Sequence, residues 1–166
     1  MATITLQGKS INTNGELPAV GADAPPFKLT AHDLSDKTLA DYSGKKKLLN
    51  IVPSLDTGVC ATSTKTFNES AGNYPDAVIL TISADLPFAQ SRFCTDEKIG
   101  NVITLSEMRN KSFAKDYGVL LQDGPLAGIT ARAIVVIDEN DKVIYTELVP
   151  EIAQEPNYEK ALAALA

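Results

Sequence analysis

The chain has 166 residues, of which 44% are hydrophobic and 22% charged, and its net charge is −6 at pH 7. These proportions are typical of one globular domain, and a chain of this length buries enough apolar surface to fold without disulfides or a structural metal. The negative charge argues against nucleic acid as a partner, because the chain would repel a phosphate backbone.

The sequence predicts a cytoplasmic protein with no membrane partner. It contains no run of about 18 apolar residues, and its N-terminus lacks the apolar block of a signal peptide. Stable disulfides are rare in the cytoplasm, so Cys60 and Cys94 are better explained as redox-active than as a structural pair. We expect one domain over 1–166, with about residues 1–17 forming an N-terminal β-hairpin extension.

The predicted elements begin with this hairpin. Residues 3–6 (TITL) have the pattern of a strand, and the polar segment 12–15, which ends in Asn-Gly, is typical of a turn. Two prolines at 25–26 favour an extended segment at 27–30. The basic run at 45–47 is interpreted as a solvated loop edge.

From residue 48 onward, predicted strands alternate with helices. Short apolar runs predict buried strands at 48–52, 77–82, 101–105, 131–137 and 142–149. Helical patterns begin at Gly58 and at Pro87, the latter with Asp85 as N-cap, and cover 110–117 and 157–166. This order predicts an α/β protein with a mixed central sheet flanked by helices, and it is compatible with a thioredoxin-like fold.

Cys60 lies in the first turn of the helix that begins near Gly58, with Asp56 or Thr57 as the expected N-cap. Free backbone N–H groups and the helix dipole favour an anion at this place, so the position suits a reactive thiolate. Cys60 also shares an apolar stripe with Phe67, so inert core packing is the alternative.

No metal site is predicted. Two cysteines and the only histidine, His32, are too few for the usual four-ligand site. His32 lies in the polar segment AHDLSD and is interpreted as a surface loop residue. A base paired with a cysteine is the less favoured alternative.

The segment PSLDTGVC at 53–60 resembles the P-x-x-x-T-x-x-C signature of peroxiredoxins. The segments SADLPFAQSRFC at 83–94, GPLAG at 124–128 and ARAIVVID at 131–138 resemble those of bacterial thiol peroxidases, a branch of the atypical two-cysteine peroxiredoxins. The resemblance covers nearly the whole chain. Residues 95–98 (TDEK) depart from it, and their role stays open.

The resemblance implies a role for each candidate site residue. Cys60 would be the peroxidatic cysteine, whose thiolate attacks the O–O bond of the substrate. Cys94 would be the resolving cysteine, which condenses with the Cys60 sulfenic acid to form an intramolecular disulfide. Pro53 would shield the sulfur from water, and Thr57 would hydrogen-bond the sulfur and the peroxide. Arg132 would steady the thiolate and polarise the peroxide oxygens.

The implied activity is antioxidant reduction of hydrogen peroxide and alkyl hydroperoxides, with thioredoxin as reductant, a homodimer as assembly and no cofactor. The first helical turn or the segment around Cys94 should have to loosen before the two sulfurs meet. One alternative is a thiol–disulfide oxidoreductase, which is disfavoured by Thr57 in the place of a second cysteine and by Arg132 in the place of a cis-proline. Another is a non-catalytic binding domain whose cysteines are structural.

Overall fold

The computed structural model describes residues 1–166 and contains nine strands and four α-helices. The strands are β1 (Thr3–Leu6), β2 (Lys9–Asn12), β3 (Lys28–Thr30), β4 (Asp36–Thr38), β5 (Lys46–Ile51), β6 (Ala77–Ser83), β7 (Ile103–Ser106), β8 (Ala133–Ile137) and β9 (Val143–Leu148). The helices are α1 (Gly58–Ala71), α2 (Pro87–Asp96), α3 (Ser112–Asp116) and α4 (Tyr158–Ala163), and a 3₁₀ helix covers Leu39–Tyr42. No helix is long and apolar enough to cross a lipid bilayer.

Seven strands form the central sheet, in the order β4-β3-β7-β6-β5-β8-β9. β5, β6 and β7 run parallel, and the remaining pairings are antiparallel. Successive residues of β5 point to opposite faces, so Leu48 packs in one hydrophobic cluster with α1, α2 and α4, whereas Leu49 packs in a second cluster with α3 and the N-terminal hairpin. The predicted mixed sheet with helices on both faces is therefore confirmed.

The N-terminal hairpin is present, but its predicted turn is wrong. Ile4 pairs with Ile11, and the turn lies at Gln7 and Gly8, which both have positive φ, at 51° and 78°. Positive φ at both central residues suits the tight turn of a two-residue hairpin. Thr13, in the segment expected to turn, instead bridges to Leu121 and so joins the hairpin to the rest of the chain.

Several helices and strands are shorter than the sequence patterns predicted. The terminal helix begins at Tyr158 because the Asn157 side chain accepts a hydrogen bond from the Lys160 N–H and so acts as the N-cap. The helix predicted over 110–117 is reduced to Ser112–Asp116.

The interpretation of residues 45–47 as a solvated loop edge is wrong for Lys46 and Lys47, which begin β5. The Lys47 side chain is fully buried, and its Nζ lies 2.5 Å from Asp141 Oδ1 in the turn between β8 and β9. Lys47 and Leu49 are two residues apart in β5, so their side chains point to the same buried face of the sheet. The carboxylate of Asp141 compensates the charge buried there.

We expect Asp141→Asn to lower the free energy of unfolding by about 2 kcal/mol, because the Lys47 ammonium loses its counter-charge. This value is smaller than for a fully buried pair, since the Asp141 side chain is 38% exposed. Lys47→Met should cost less, because it leaves no charge buried. Urea unfolding of both variants measures the difference, and a larger loss in Lys47→Met would contradict this account.

Candidate active site

Cys60 is the third residue of α1 and is fully buried, and the helix begins at the predicted place. Thr57 occupies the N-cap position with extended backbone angles, but no side chain caps the first turn. The first amide N–H groups of α1 therefore keep free donor capacity near Cys60. Such a helix start combines open hydrogen-bond donors with the positive end of the helix dipole.

Arg132 lies directly before β8, with only 2% of its surface exposed. Its Nη2 is 3.3 Å from Cys60 Sγ, and its Nε donates to the Ile152 carbonyl at 2.9 Å. The second bond holds the guanidinium in one orientation, while the buried Nη1 has no partner. The strand predicted over 131–137 therefore begins at Ala133, and Arg132 is the residue that immediately precedes it. The guanidinium therefore places a fixed positive charge and a hydrogen-bond donor against the Cys60 sulfur.

A cavity of about 420 Å³ opens beside these residues. Pro53, Thr57 and Arg132 line it together with the mostly apolar side chains of Leu6, Val59, Leu126, Ile129 and Ile152. Pro53 is buried, as a residue that shields the sulfur from water would be. An apolar cavity with few polar groups is a typical small-molecule site.

The hydrogen bond expected from Thr57 to the sulfur is absent from the structure. The Thr57 hydroxyl donates instead to the Ser54 carbonyl at 3.0 Å, because the turn before α1 brings that carbonyl within reach. The Thr57 oxygen keeps its acceptor capacity, and the residue still lines the cavity.

Cys94 lies in the last turn of α2, and neither cysteine is in a disulfide. The half-buried Cys94 side chain lines a groove of about 550 Å³ that shares no lining residue with the cavity beside Arg132. Burial raises the pKa of the Cys94 thiol, and a hydrogen bond with Thr104 opposes this only in part. Cys94 is therefore held as the neutral thiol at pH 7.

His32 is exposed and lies on the loop after β3, in agreement with its interpretation as a surface residue. It lines the same groove as Cys94, although neither of its ring nitrogens forms a hydrogen bond with a cysteine. The structure therefore does not pair this histidine with a thiol.

Sequence reasoning missed two parts of the site. The apolar lining comes from segments as distant as Leu6 and Ile152, and nothing local marks such residues. Asp85 was expected to cap α2, but the N-cap position belongs to Leu86. The Asp85 carboxylate instead accepts hydrogen bonds from Ser54 Oγ and the Leu55 N–H, both in the turn before Cys60.

The site places a fully buried cysteine at a helix start, beside an arginine that is held in one orientation. The Redoxin family model matches residues 19–162. The thiol peroxidases of Mycobacterium tuberculosis and Mycobacterium bovis are each 59% identical to the chain, with 99% of both sequences covered. The crystal structure of a peroxiredoxin-like protein from Aquifex aeolicus is 40% identical and superimposes with a TM-score of 0.94, covering 99% of this chain and 96% of that one.

The chain belongs to the redoxin family and, within it, to the thiol peroxidases, which are peroxiredoxin-type oxidoreductases. The thioredoxin-like fold class is likewise confirmed. A thiol peroxidase from Chromobacterium violaceum has the same fold. Its structure superimposes on this one with a TM-score of 0.91 at 23% identity, covering 99% of this chain and 96% of that one.

Proposed function

We propose that the chain reduces hydrogen peroxide and alkyl hydroperoxides through Cys60. The Cys60 thiolate attacks one peroxide oxygen, and the O–O bond breaks. The sulfur becomes a sulfenic acid, and the leaving oxygen takes up a proton to depart as water or an alcohol. The sulfur is oxidised by two electrons and the peroxide is reduced by two.

Cys94 acts in the second step as the resolving cysteine. Its sulfur displaces the hydroxyl of the Cys60 sulfenic acid, so that an intramolecular disulfide forms and water leaves. A dithiol protein of the thioredoxin type then reduces this disulfide by thiol–disulfide exchange and carries away the two electrons. The raised pKa of the Cys94 thiol supports this division of roles, because a neutral thiol competes poorly for peroxide.

The observation that carries the proposal is the distance of 3.3 Å between Arg132 Nη2 and Cys60 Sγ. Negative charge passes from the sulfur to the leaving oxygen as the O–O bond breaks. The unpartnered Nη1 and the uncapped N–H groups of α1 supply donors for that charge without needing to reorganise. Preorganised donors of this kind are a major source of rate acceleration.

The proposal is tested by adding about one equivalent of hydrogen peroxide to the reduced protein and counting free thiols with time. Both thiols should disappear within seconds, and peptide mapping should find Cys60 joined to Cys94. The Cys60→Ser variant should keep its remaining thiol. Consumption of that thiol at the wild-type rate, or a wild type that keeps both thiols, would refute the proposal.

The apolar cavity supports alkyl hydroperoxides as substrates beside hydrogen peroxide. Leu126 is a half-buried member of its lining. We expect Leu126→Ser to lower the second-order rate constant for cumene hydroperoxide by about fivefold to tenfold, since a contact worth about 1–1.5 kcal/mol is lost. The rate with hydrogen peroxide should stay near that of the wild type.

The matched control is Leu34→Ser, because Leu34 is an exposed leucine that does not line the cavity. Both rate constants should be unchanged in this variant. An equal decrease for both peroxides in Leu126→Ser would show that the side chain supports the fold of the site and does not select the substrate.

The remaining proposals concern assembly and location. We infer one domain over 1–166, with residues 1–17 as a hairpin extension, since the Leu6 side chain of that hairpin lines the cavity. A homodimer is supported by Leu86 and Phe88, two exposed apolar side chains at the start of α2, which are 52% and 64% exposed. A cytoplasmic location suits a chain with two free cysteines and a thioredoxin-type donor.

A further inference from the structure

Asp85 lies between β6 and α2, and its carboxylate holds the turn that precedes Cys60. Ser54 Oγ donates to Asp85 Oδ1 at 2.7 Å, and the Leu55 N–H donates to Oδ2 at 2.7 Å. The Ser54 carbonyl in turn accepts from both the N–H and the hydroxyl of Thr57. The carboxylate therefore fixes the backbone from which α1 and Cys60 begin.

The same carboxylate is connected to the helix that carries Cys94. Ser83 Oγ donates to Asp85 Oδ2 at 2.8 Å and accepts from Gln90 Nε2 at 3.0 Å. Gln90 is fully buried in α2 and precedes Cys94 by four residues, about one helical turn. A continuous chain of hydrogen bonds thus joins the turn before one cysteine to the helix of the other.

Two ion pairs also connect these elements, but both are exposed. Arg92 pairs with Asp56 at 3.1 Å and Lys65 with Glu97 at 2.6 Å, and all four side chains are at least 37% exposed. Exposed pairs contribute little to stability, whereas hydrogen bonds to a partly buried carboxylate contribute more. The Asp85 contacts are therefore the stronger connection.

We propose that Asp85 is a positioning residue that holds Cys60 in its peroxide-reactive place and must release the turn before Cys60 reaches Cys94. The proposal rests on the proposed function, in which these two sulfurs form a disulfide. Cys60 is fully buried beside Arg132, it is in no disulfide, and it does not line the groove onto which Cys94 opens, so the turn before α1 or the end of α2 has to move for the two sulfurs to meet. Either movement strains the hydrogen bonds that Asp85 makes.

A weaker Asp85 contact should therefore accelerate the second step without accelerating the first. In Asp85→Asn the amide cannot accept all three hydrogen bonds, because one of its two ends is a donor. We expect disulfide formation to become about tenfold faster, because the loss of one hydrogen bond to a charged group corresponds to a change of about that size. Reaction of Cys60 with peroxide should be slower, because the turn that positions the sulfur is held less tightly. A residue that only supports the fold would not accelerate one step selectively.

Over-oxidation supplies a second readout. A sulfenic acid that waits for Cys94 can react with a second peroxide, giving a sulfinic acid and water. Faster disulfide formation shortens this wait, so Asp85→Asn should accumulate less Cys60 sulfinic acid than the wild type at the same excess of peroxide. Mass spectrometry of the Cys60 peptide measures the fraction.

The experiment follows both steps by rapid quench and thiol alkylation in the wild type and three variants. Ser54→Ala removes one of the bonds to Asp85, together with the bond that Ser54 Oγ accepts from the Asp56 N–H, and should change the disulfide rate in the same direction, by less. Asp41→Asn is the matched control, since the exposed Asp41 carboxylate also accepts from one backbone N–H and one hydroxyl, both of Thr38. It should leave both steps unchanged.

A disulfide step in Asp85→Asn and Ser54→Ala that is as slow as or slower than that of the wild type would overturn the proposal. An equal acceleration in Asp41→Asn would overturn it as well. A wild type that forms no disulfide between Cys60 and Cys94 would refute the proposed function itself, and the assignment of Asp85 with it.

Discussion

Cys94→Ser is expected to react with peroxide at the wild-type rate and to lose turnover with thioredoxin completely. The contact between Arg132 and Cys60 does not involve Cys94, so the first step should proceed. The sulfenic acid on Cys60 then has no thiol in the chain to condense with. Dimedone should label the Cys60 peptide, and peroxide-dependent NADPH consumption with thioredoxin and its reductase should fall to the rate without the enzyme.

Cys60→Ser is the control for this labelling, since it should give no dimedone adduct. With excess peroxide, Cys94→Ser should also accumulate sulfinic acid on Cys60, because the protective disulfide cannot form. Full turnover in Cys94→Ser would show that another thiol resolves the sulfenic acid, and would remove Cys94 from the mechanism.

Arg132→Ala is expected to slow the reaction of Cys60 with peroxide by about 10²–10³-fold, by analogy with the loss of one oxyanion donor. The guanidinium is the cation beside the sulfur, which its Nη2 contacts, and its Nη1 has no partner. Arg132→Lys should give an intermediate rate, because a single ammonium cannot bond the Ile152 carbonyl and the sulfur in the same fork geometry. Stopped-flow kinetics of the first step measure the rate constants.

Arg109→Ala is the matched control, since Arg109 is an exposed arginine that pairs with Asp36 at 2.7 Å. Its rate with peroxide should equal that of the wild type. An unchanged rate in a folded Arg132→Ala protein would exclude Arg132 from the reaction.

The site could be predicted from the sequence where it depends on one short segment. The strand, the turn and the helix start that position Cys60 lie between residues 48 and 60, and the local pattern indicated all three. Its partner Arg132 is 72 residues away in the chain. Only the resemblance to peroxiredoxins suggested that the two residues meet, because no local pattern encodes that contact.

Two of the wrong predictions share one physical cause. The run of lysines at 45–47 has the composition of a loop, yet Lys47 is buried because Asp141, 94 residues later, compensates its charge. Asp85 has the local pattern of an N-cap, yet its carboxylate is bound by a turn 30 residues earlier. In each case the contact with a polar partner distant in the sequence stabilised a position that the local pattern of residues did not favour.

By itself the sequence determined the alternation of strands and helices, the place of Cys60 at a helix start and the family to which the chain belongs. These depend on hydrophobic periodicity, on turn residues and on short motifs, which act over a few neighbouring residues. Only the tertiary structure decided that Arg132 Nη2 lies 3.3 Å from the sulfur, which apolar side chains line the cavity, and that Asp85 joins the two cysteine-bearing segments. Those contacts arise when the sheet and its helices pack, and packing brings together residues whose separation along the chain carries no local signal.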